Sequence, residues 1–282
     1  MSVGIVVPLP AYTLDPAFIA KKAEDLGFES IFYHEHPILP VNSATPFPAT
    51  GGEIPWTYRH FSDPYMSLAM ASTVTTKIKL ATGITLITER NPLILAKQIA
   101  VLDQHSNGRF IFGIGTGWNR EETTMMGGDF DHRWTQAREA VAALKELWTK
   151  DESEFHGKFF DFPPVRCFPK PVQKPHPPII LGTLSDKGLK RVVNYCDGWI
   201  PVGGTVQDMP AAIQQLHNLA DEAGRPKEEI PVSIFGGPDD EKALGQLQEL
   251  GLDRTVFFVP SADADTVLPL LDKYQGFISK FV

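Results

Sequence analysis

His34, Glu35 and His36 form the segment HEH, two imidazoles flanking a carboxylate. An imidazole titrates near neutral pH, so it can give or take a proton, and a neighbouring carboxylate suits proton transfer. On a strand, alternation would put His34 and His36 on one side. The same H-x-H spacing could begin a metal site for assisted hydrolysis. Closing that site takes more nitrogen or oxygen ligands, and the apolar runs ending in ILGT, IPVG and FVPS bring neither a histidine nor an acid. A histidine packed at a rim with no chemical duty is the plain alternative.

The second chemical feature is RFIFGIGTGWNREE, residues 109–122, where Gly113, Gly115 and Gly117 alternate at the end of an apolar run. The dinucleotide fingerprint G-x-G-x-x-G would need its third glycine where Trp118 stands, and it belongs in a first βαβ unit. Spacing and context both reject it. Bare backbone at a strand end still lets successive N–H groups approach a phosphate or a flat ring. Gly113 is equally explained by crowding inside a tapering barrel. Gly115, Thr116 and Gly117 fall where a ligand would lie.

The elements that must position these residues alternate from end to end. Apolar, β-branched runs at 3–7, 30–36, 78–87, 108–115, 178–182, 198–202, 230–236 and 254–259 read as strands. Amphipathic segments at 15–27, 62–75, 91–106, 133–149, 185–196, 206–223, 239–250 and 263–275 read as helices, with Asp15 and Asn91 as caps and Pro16 in a first turn. Residues 153–162 read as a hairpin. Strands without alternation are buried on both faces, as in parallel sheets with crossover helices. Eight such units predict a single-domain (β/α)8 TIM barrel over 1–282, with insertions at 37–61 after strand 2 and 150–177 before strand 5. An open doubly wound sheet is the rival. Chemistry in such barrels sits just beyond the strands, here at PLP, HEH, TER, GTGWN, GTLSD, VGG, GGPDD and PSAD.

A net charge of -8 with no Lys/Arg cluster argues against nucleic acid as a partner. Cys167 and Cys196 cannot frame a disulfide scaffold, and no signal peptide or membrane span is legible, so the expected place is the cytoplasm.

Several stretches resemble the luciferase-like flavin and deazaflavin oxidoreductases: GFESIFYHEH (27–36), residues 80–122, and residues 174–203. The closing segment 252–274 is similar to the coenzyme F420-dependent branch of that family. The resemblance implies a redox ring across the barrel mouth, backed by a non-proline cis peptide, here Gly83–Ile84, with Thr85 beside it. It implies phosphate contacts at Gly115, Thr116, Gly117 and Trp118 and at Gly182 and Thr183. It places the active-site histidine on His36, which also borders the cofactor. Glu35 stands where many F420 relatives have aspartate, and Arg133-Trp134 where an Arg-Gly pair is common.

The implied activity is hydride transfer between coenzyme F420 and a small-molecule substrate; an FMN-dependent monooxygenase using oxygen is the alternative. A non-catalytic flavin-binding subunit is another, although the glycines and His36 are all present. Phe47, Trp56, Tyr58 and Phe61 suggest an aromatic wall or a plain hydrophobic lid. Lys170, Lys174 and Lys187 are candidates for an anionic cofactor tail. A homodimer through the second and third helices is expected from the family.

Overall fold

Buried parallel strands must be separated by helices, and the chain obeys this from its first residues. The computed structural model describes residues 1–8, 12–204, 206 and 208–281; Leu9 and Pro10 of the first strand-end segment lie outside them. In chain order the elements are β1 (Ser2–Val7), α1 (Pro16–Asp25), β2 (Ser30–Tyr33), α2 (Pro64–Val74), β3 (Lys79–Thr82), β4 (Thr85–Leu86) and α3 (Pro92–His105). There follow β5 (Phe110–Gly115), α4 (Arg120–Met125), α5 (Arg133–Thr149), β6 (Ser153–His156), β7 (Asp161–Val165), β8 (Ile179–Leu181) and α6 (Asp186–Tyr195). The last are β9 (Gly198–Trp199), α7 (Met209–Glu222), β10 (Val232–Phe235), α8 (Glu241–Glu249), β11 (Leu252–Phe258) and α9 (Ala264–Phe281).

Pairing runs β3-β2-β1-β11-β10-β9-β8-β5, and β3 also pairs with β5, which closes the ring. All of these pairings are parallel. The (β/α)8 barrel is therefore present, and the open sheet is excluded. Its lumen is filled by Val6, Phe32, Ala81, Ile111, Ile180, Ile200, Phe235 and Val256, one from each strand or its immediate end. A larger apolar shell lies between strands and helices.

Local chemistry sets the helix starts. Asp15, Asp63 and Asn91 cap α1, α2 and α3 with side-chain acceptors, each followed by proline in the first turn. Several boundaries depart from the periodicity. The third strand is split into β3 and β4 by the cis Gly83–Ile84 bond. The second strand ends at Tyr33, so His34–His36 lie in the loop beyond it. Helix α9 runs through Gly276 to Phe281 because Phe277 is buried and its ring packs 5.2 Å from that of Phe257.

The two insertions go to different places. Residues 37–61 leave the C-terminal end of β2 and arch over the mouth. There Ala44 N and Thr45 Oγ1 donate to the Glu121 carboxylate at 2.9 and 2.7 Å, tying the arch to α4. Those hydrogen bonds, with that from Ser43, hold the Glu121 carboxyl down at about 2. The second insertion runs outside the barrel, and its tip at Phe159 packs 6.4 Å from the His132 ring at the start of α5. Its β6–β7 hairpin lies along α5, where Phe159 N donates to Glu139 at 2.7 Å. None of the described helices is long and apolar enough to cross a membrane.

Candidate active site

Helix α4 brings the key acid to the mouth. Asn119 caps it by accepting from Glu122 N at 3.0 Å, so Glu122 occupies the third helical position, directly after the glycine loop. Its carboxylate turns away from its own helix, and Oε2 meets His36 Nδ1 at 2.7 Å. Both side chains are nearly sealed, 6% and 1% exposed. With Nδ1 held on a carboxylate, Nε2 is the nitrogen left to face a bound molecule, and the carboxylate fixes the ring's orientation. Three aromatic rings enclose this imidazole: Tyr58 at 5.1 Å, Trp118 at 5.6 Å and Phe61 at 6.1 Å between centroids. Phe47 supports the cup by packing on Tyr58 and Trp118. Trp56 stays outside it, half exposed against His60.

Behind the pair sits a second buried carboxyl. Glu89 Oε1 accepts from Thr123 Oγ1 at 2.9 Å, while Glu89 Oε2 and Glu122 Oε1 have no partner among the described residues. Burial first, and then the Glu122 charge, push Glu89 up to about 8. At neutral pH Glu89 therefore holds its proton.

Glu35, expected beside the chemistry, faces the other way. Its Oε2 accepts from Leu86 N at 2.8 Å and its Oε1 from Arg90 Nε at 2.6 Å. Arg90 also binds Asp63 at 2.9 Å and lies over the Tyr65 ring. The acid thus clamps the strand just past the cis bond rather than opening to the mouth. Thr85 is likewise committed outward, with its hydroxyl 2.8 Å from Tyr65 OH.

The glycines divide by role. A Cβ at Gly113 would stand 2.0 Å from Thr82 O, and one at Gly115 would stand 1.9 Å from Ile84 Cδ1. These two positions are bare because the bulge at Gly83–Ile84 packs into them, so Gly115 serves packing where a ligand was expected to claim the space. Gly83 itself abuts Phe32 and Phe235. Gly117 has φ +74°, and a Cβ there would press on Glu89 Oε1 and Thr123 Oγ1. Gly182 N donates to Ile114 O at 2.9 Å, and a Cβ on Gly182 would make only ordinary contacts. Thr183 is buried, its carbonyl accepting from Trp199 Nε1 at 3.0 Å. Thr116 is buried, and its carbonyl accepts from Thr88 Oγ1 at 3.3 Å.

Charge near the mouth also differs from expectation. Lys170 donates to Leu147 O at the C-terminal end of α5, and Lys174 precedes β8, so both lie at the closed end of the barrel. Of the three lysines, only Lys187, in the first turn of α6, is on the mouth side. Arginines gather instead at the start of α5. Arg120 and Arg133 lie over the Phe130 ring at 4.4 and 4.1 Å, and Arg191 lies over Trp134 at 4.2 Å. Arg133 Nε is buried without a partner among the described residues. A cavity of about 380 Å³ between the starts of α6 and α7 is lined by Ser185, Asp186, Trp199 and Asp208 among others. Its two acids make it a poor seat for a phosphate.

Glu122, Glu89 and Arg90 are the site residues that sequence reading missed. Glu122 carried a signal, the Asn-x-x-Glu capping spacing directly after the glycine loop. Glu89 and Arg90 lay in the strand-end segment TER, but nothing there marked them above their neighbours. Among the described residues no group of three or more His, Cys, Asp or Glu side chains is placed to hold a metal.

A family model described as luciferase-like monooxygenase matches residues 16–249. The uncharacterized protein Rv0953c of Mycobacterium tuberculosis is 35% identical over 276 residues, covering 97% of each chain. Two solved structures share the fold. Monooxygenase RslO1 from Streptomyces bottropensis has a TM-score of 0.79 at 20% identity, covering 99% of both chains. An F420-dependent secondary alcohol dehydrogenase in complex with an F420-acetone adduct has a TM-score of 0.77 at 18% identity, covering 100% of this chain and 99% of that one.

Proposed function

Because the chain belongs to the luciferase-like monooxygenase family, we propose that it is an oxidoreductase moving a hydride between coenzyme F420 and a small organic substrate, with His36 exchanging the accompanying proton. The observation that carries this reading is the sealed His36–Glu122 pair, 2.7 Å apart, inside an aromatic cup at the barrel mouth. A bound deazaflavin or flavin ring supplies the two-electron chemistry; the chain supplies everything around it.

The unpaired Glu122 Oε1, and Ile84 only half-buried above the lumen residues, support a fit to such a ring. Gly83 and Ile84 would back the ring, with Glu35 and Arg90 as positioning residues that hold the bulge through Leu86 N. Main-chain amides of Gly115–Trp118 and of Thr183 would take the phosphate, with Gly182, whose own N–H is held by Ile114 O, giving the ligand room. Arg133, with its free Nε, would take the anionic tail in place of the three lysines. His36 holds its proton at Nε2 or yields it there, and Glu122 stabilises the charged ring whenever His36 is protonated. The walls of Tyr58, Phe61 and Trp118 exclude water from that exchange.

The family description as monooxygenases favours a second reading, in which reduced FMN and oxygen replace F420. Titration of the protein with each cofactor, followed by fluorescence quenching, separates the two. We expect F420 to bind at least about 10-fold tighter than FMN, a gap of roughly 1.4 kcal/mol. Tight FMN binding with none for F420 reverses the order, and binding of neither removes both readings.

The assembly proposed is a homodimer. Met66, Met70 and Val74 form an exposed stripe along α2, continued by Leu93 and Ile94 at the start of α3. A stripe spaced at i, i+4 and i+8 on a helix that is apolar all round is suited to a partner.

A further inference from the structure

The first histidine of the HEH segment has no part in the chemistry above. Beyond the end of β2 the chain carries Phe32, His34 and His36 up one side of the lumen: Phe32 among the lumen residues, His34 against Phe235 and Phe258, and His36 in the cup. The His34 ring meets Phe61 edge-on at 5.5 Å, and Phe258 and Phe235 at 6.3 and 6.4 Å. Its Nδ1 is buried with no partner among the described residues, while the residue as a whole keeps partial exposure. The ring nitrogen open to a molecule in the cup is therefore Nε2.

We propose that His34 is a substrate-selecting residue, a neutral imidazole that hydrogen-bonds a carbonyl or hydroxyl oxygen on a substrate whose apolar, ring-sized body lies against Phe61 and Phe258. This deepens the oxidoreductase reading and rests on it for the place where the substrate lies.

Two arguments support the assignment. No hydrogen bond to either ring nitrogen of His34 is present among the described residues, and Nε2, the one not sealed, is the nitrogen to which a molecule in the cup can supply the missing partner. The environments of the two histidines also divide their labour. His36 has a carboxylate on its inner nitrogen and can carry charge. His34 has three phenyl rings and a second imidazole around it and no acid, so burial and His36 push it down to about 4. Among the described residues the titratable group facing it is His36 on its own segment; Phe61, Phe235 and Phe258, from the other elements, carry no charge. A group that stays uncharged through the working range can hold an oxygen without competing for the transferred proton.

The test uses wild type, His34→Phe, which keeps a ring and removes both nitrogens, and His34→Gln, which keeps a donor. Cyclohexanone, cyclohexanol and methylcyclohexane are the probes. Binding is followed by the ¹⁵N shifts of the imidazoles in the protein alone, and by cofactor fluorescence in the loaded protein. We expect wild type and His34→Gln to bind the two oxygenated probes at least about 10-fold tighter than the hydrocarbon, the scale of one neutral hydrogen bond. The Nε2 resonance of His34 should move with them. In His34→Phe the preference should fall to near unity, with cofactor affinity within twofold of wild type. A preference in His34→Phe undiminished from wild type, or no preference in wild type, overturns the proposal. Failure of any cofactor to bind overturns the oxidoreductase reading alone, since the imidazole readout needs no cofactor. Thermal melts of His34→Gln guard against loss of fold.

Discussion

At the scale of single residues, the site is a set of ionisable groups sorted by their neighbours. His36 and Glu122 form the proton-exchanging pair, so Glu122→Gln should lower kcat about 10²–10³-fold while cofactor affinity changes little. Steady-state kinetics beside a binding titration would show this, and a drop in binding without a drop in kcat would contradict it. Glu89 makes a separate prediction about stability. Its folded value of about 8 lies above the ordinary 4.5, so the folded state binds the extra proton between those values. Its contribution to stability is full below pH 4.5 and is lost as pH rises to 8. Glu89→Gln cannot ionise and should gain on wild type by roughly 4 kcal/mol between pH 5 and 8.5. Urea melts at the two ends of that range would read the difference. His36 was legible in the sequence because its type and its place after a strand both pointed to it. Glu122 was not, because a first-turn glutamate after an asparagine cap ordinarily serves its own helix.

At the scale of elements, the third strand and the glycine run are one device. Ile84 fills the space left by Gly115, and Thr82 O the space left by Gly113. Gly113→Ala sets a Cβ against a fixed carbonyl and should destabilise the fold by about 3 kcal/mol. Gly115→Ala meets only the tip of a movable side chain. It should cost about 1 kcal/mol of stability, yet displace Ile84 and weaken cofactor binding about 10-fold. Denaturant melts and cofactor titrations on both variants distinguish this arrangement from one in which the glycines act only as ligand amides. The residues of both partners were visible in the sequence. Their interlock was not, because Thr82 and Gly113 lie on different strands and meet only when β3 pairs with β5.

For the whole molecule, closure of the barrel sends the two insertions to different destinations and leaves α2 and α3 with an uncovered apolar stripe. Met66→Glu combined with Ile94→Glu should convert a dimer to a monomer, because each mutation buries a charge in an apolar contact. Light scattering after size exclusion measures it, and a wild-type monomer would dispose of the dimer at once. Arg133→Ala should weaken F420 binding while leaving riboflavin, which lacks the anionic tail, unaffected.

The eight strand–helix units, the helix caps at Asp15 and Asn91, and His36 beyond the second strand were determined by the sequence itself, because burial periodicity and capping are properties of near neighbours. The pairing of His36 with Glu122, the diversion of Glu35 to Arg90 and Leu86 N, and the placing of Lys170 and Lys174 at the closed end were decided only by tertiary structure. Each depends on which ends of distant elements the closed barrel brings together, and no local pattern carries that information.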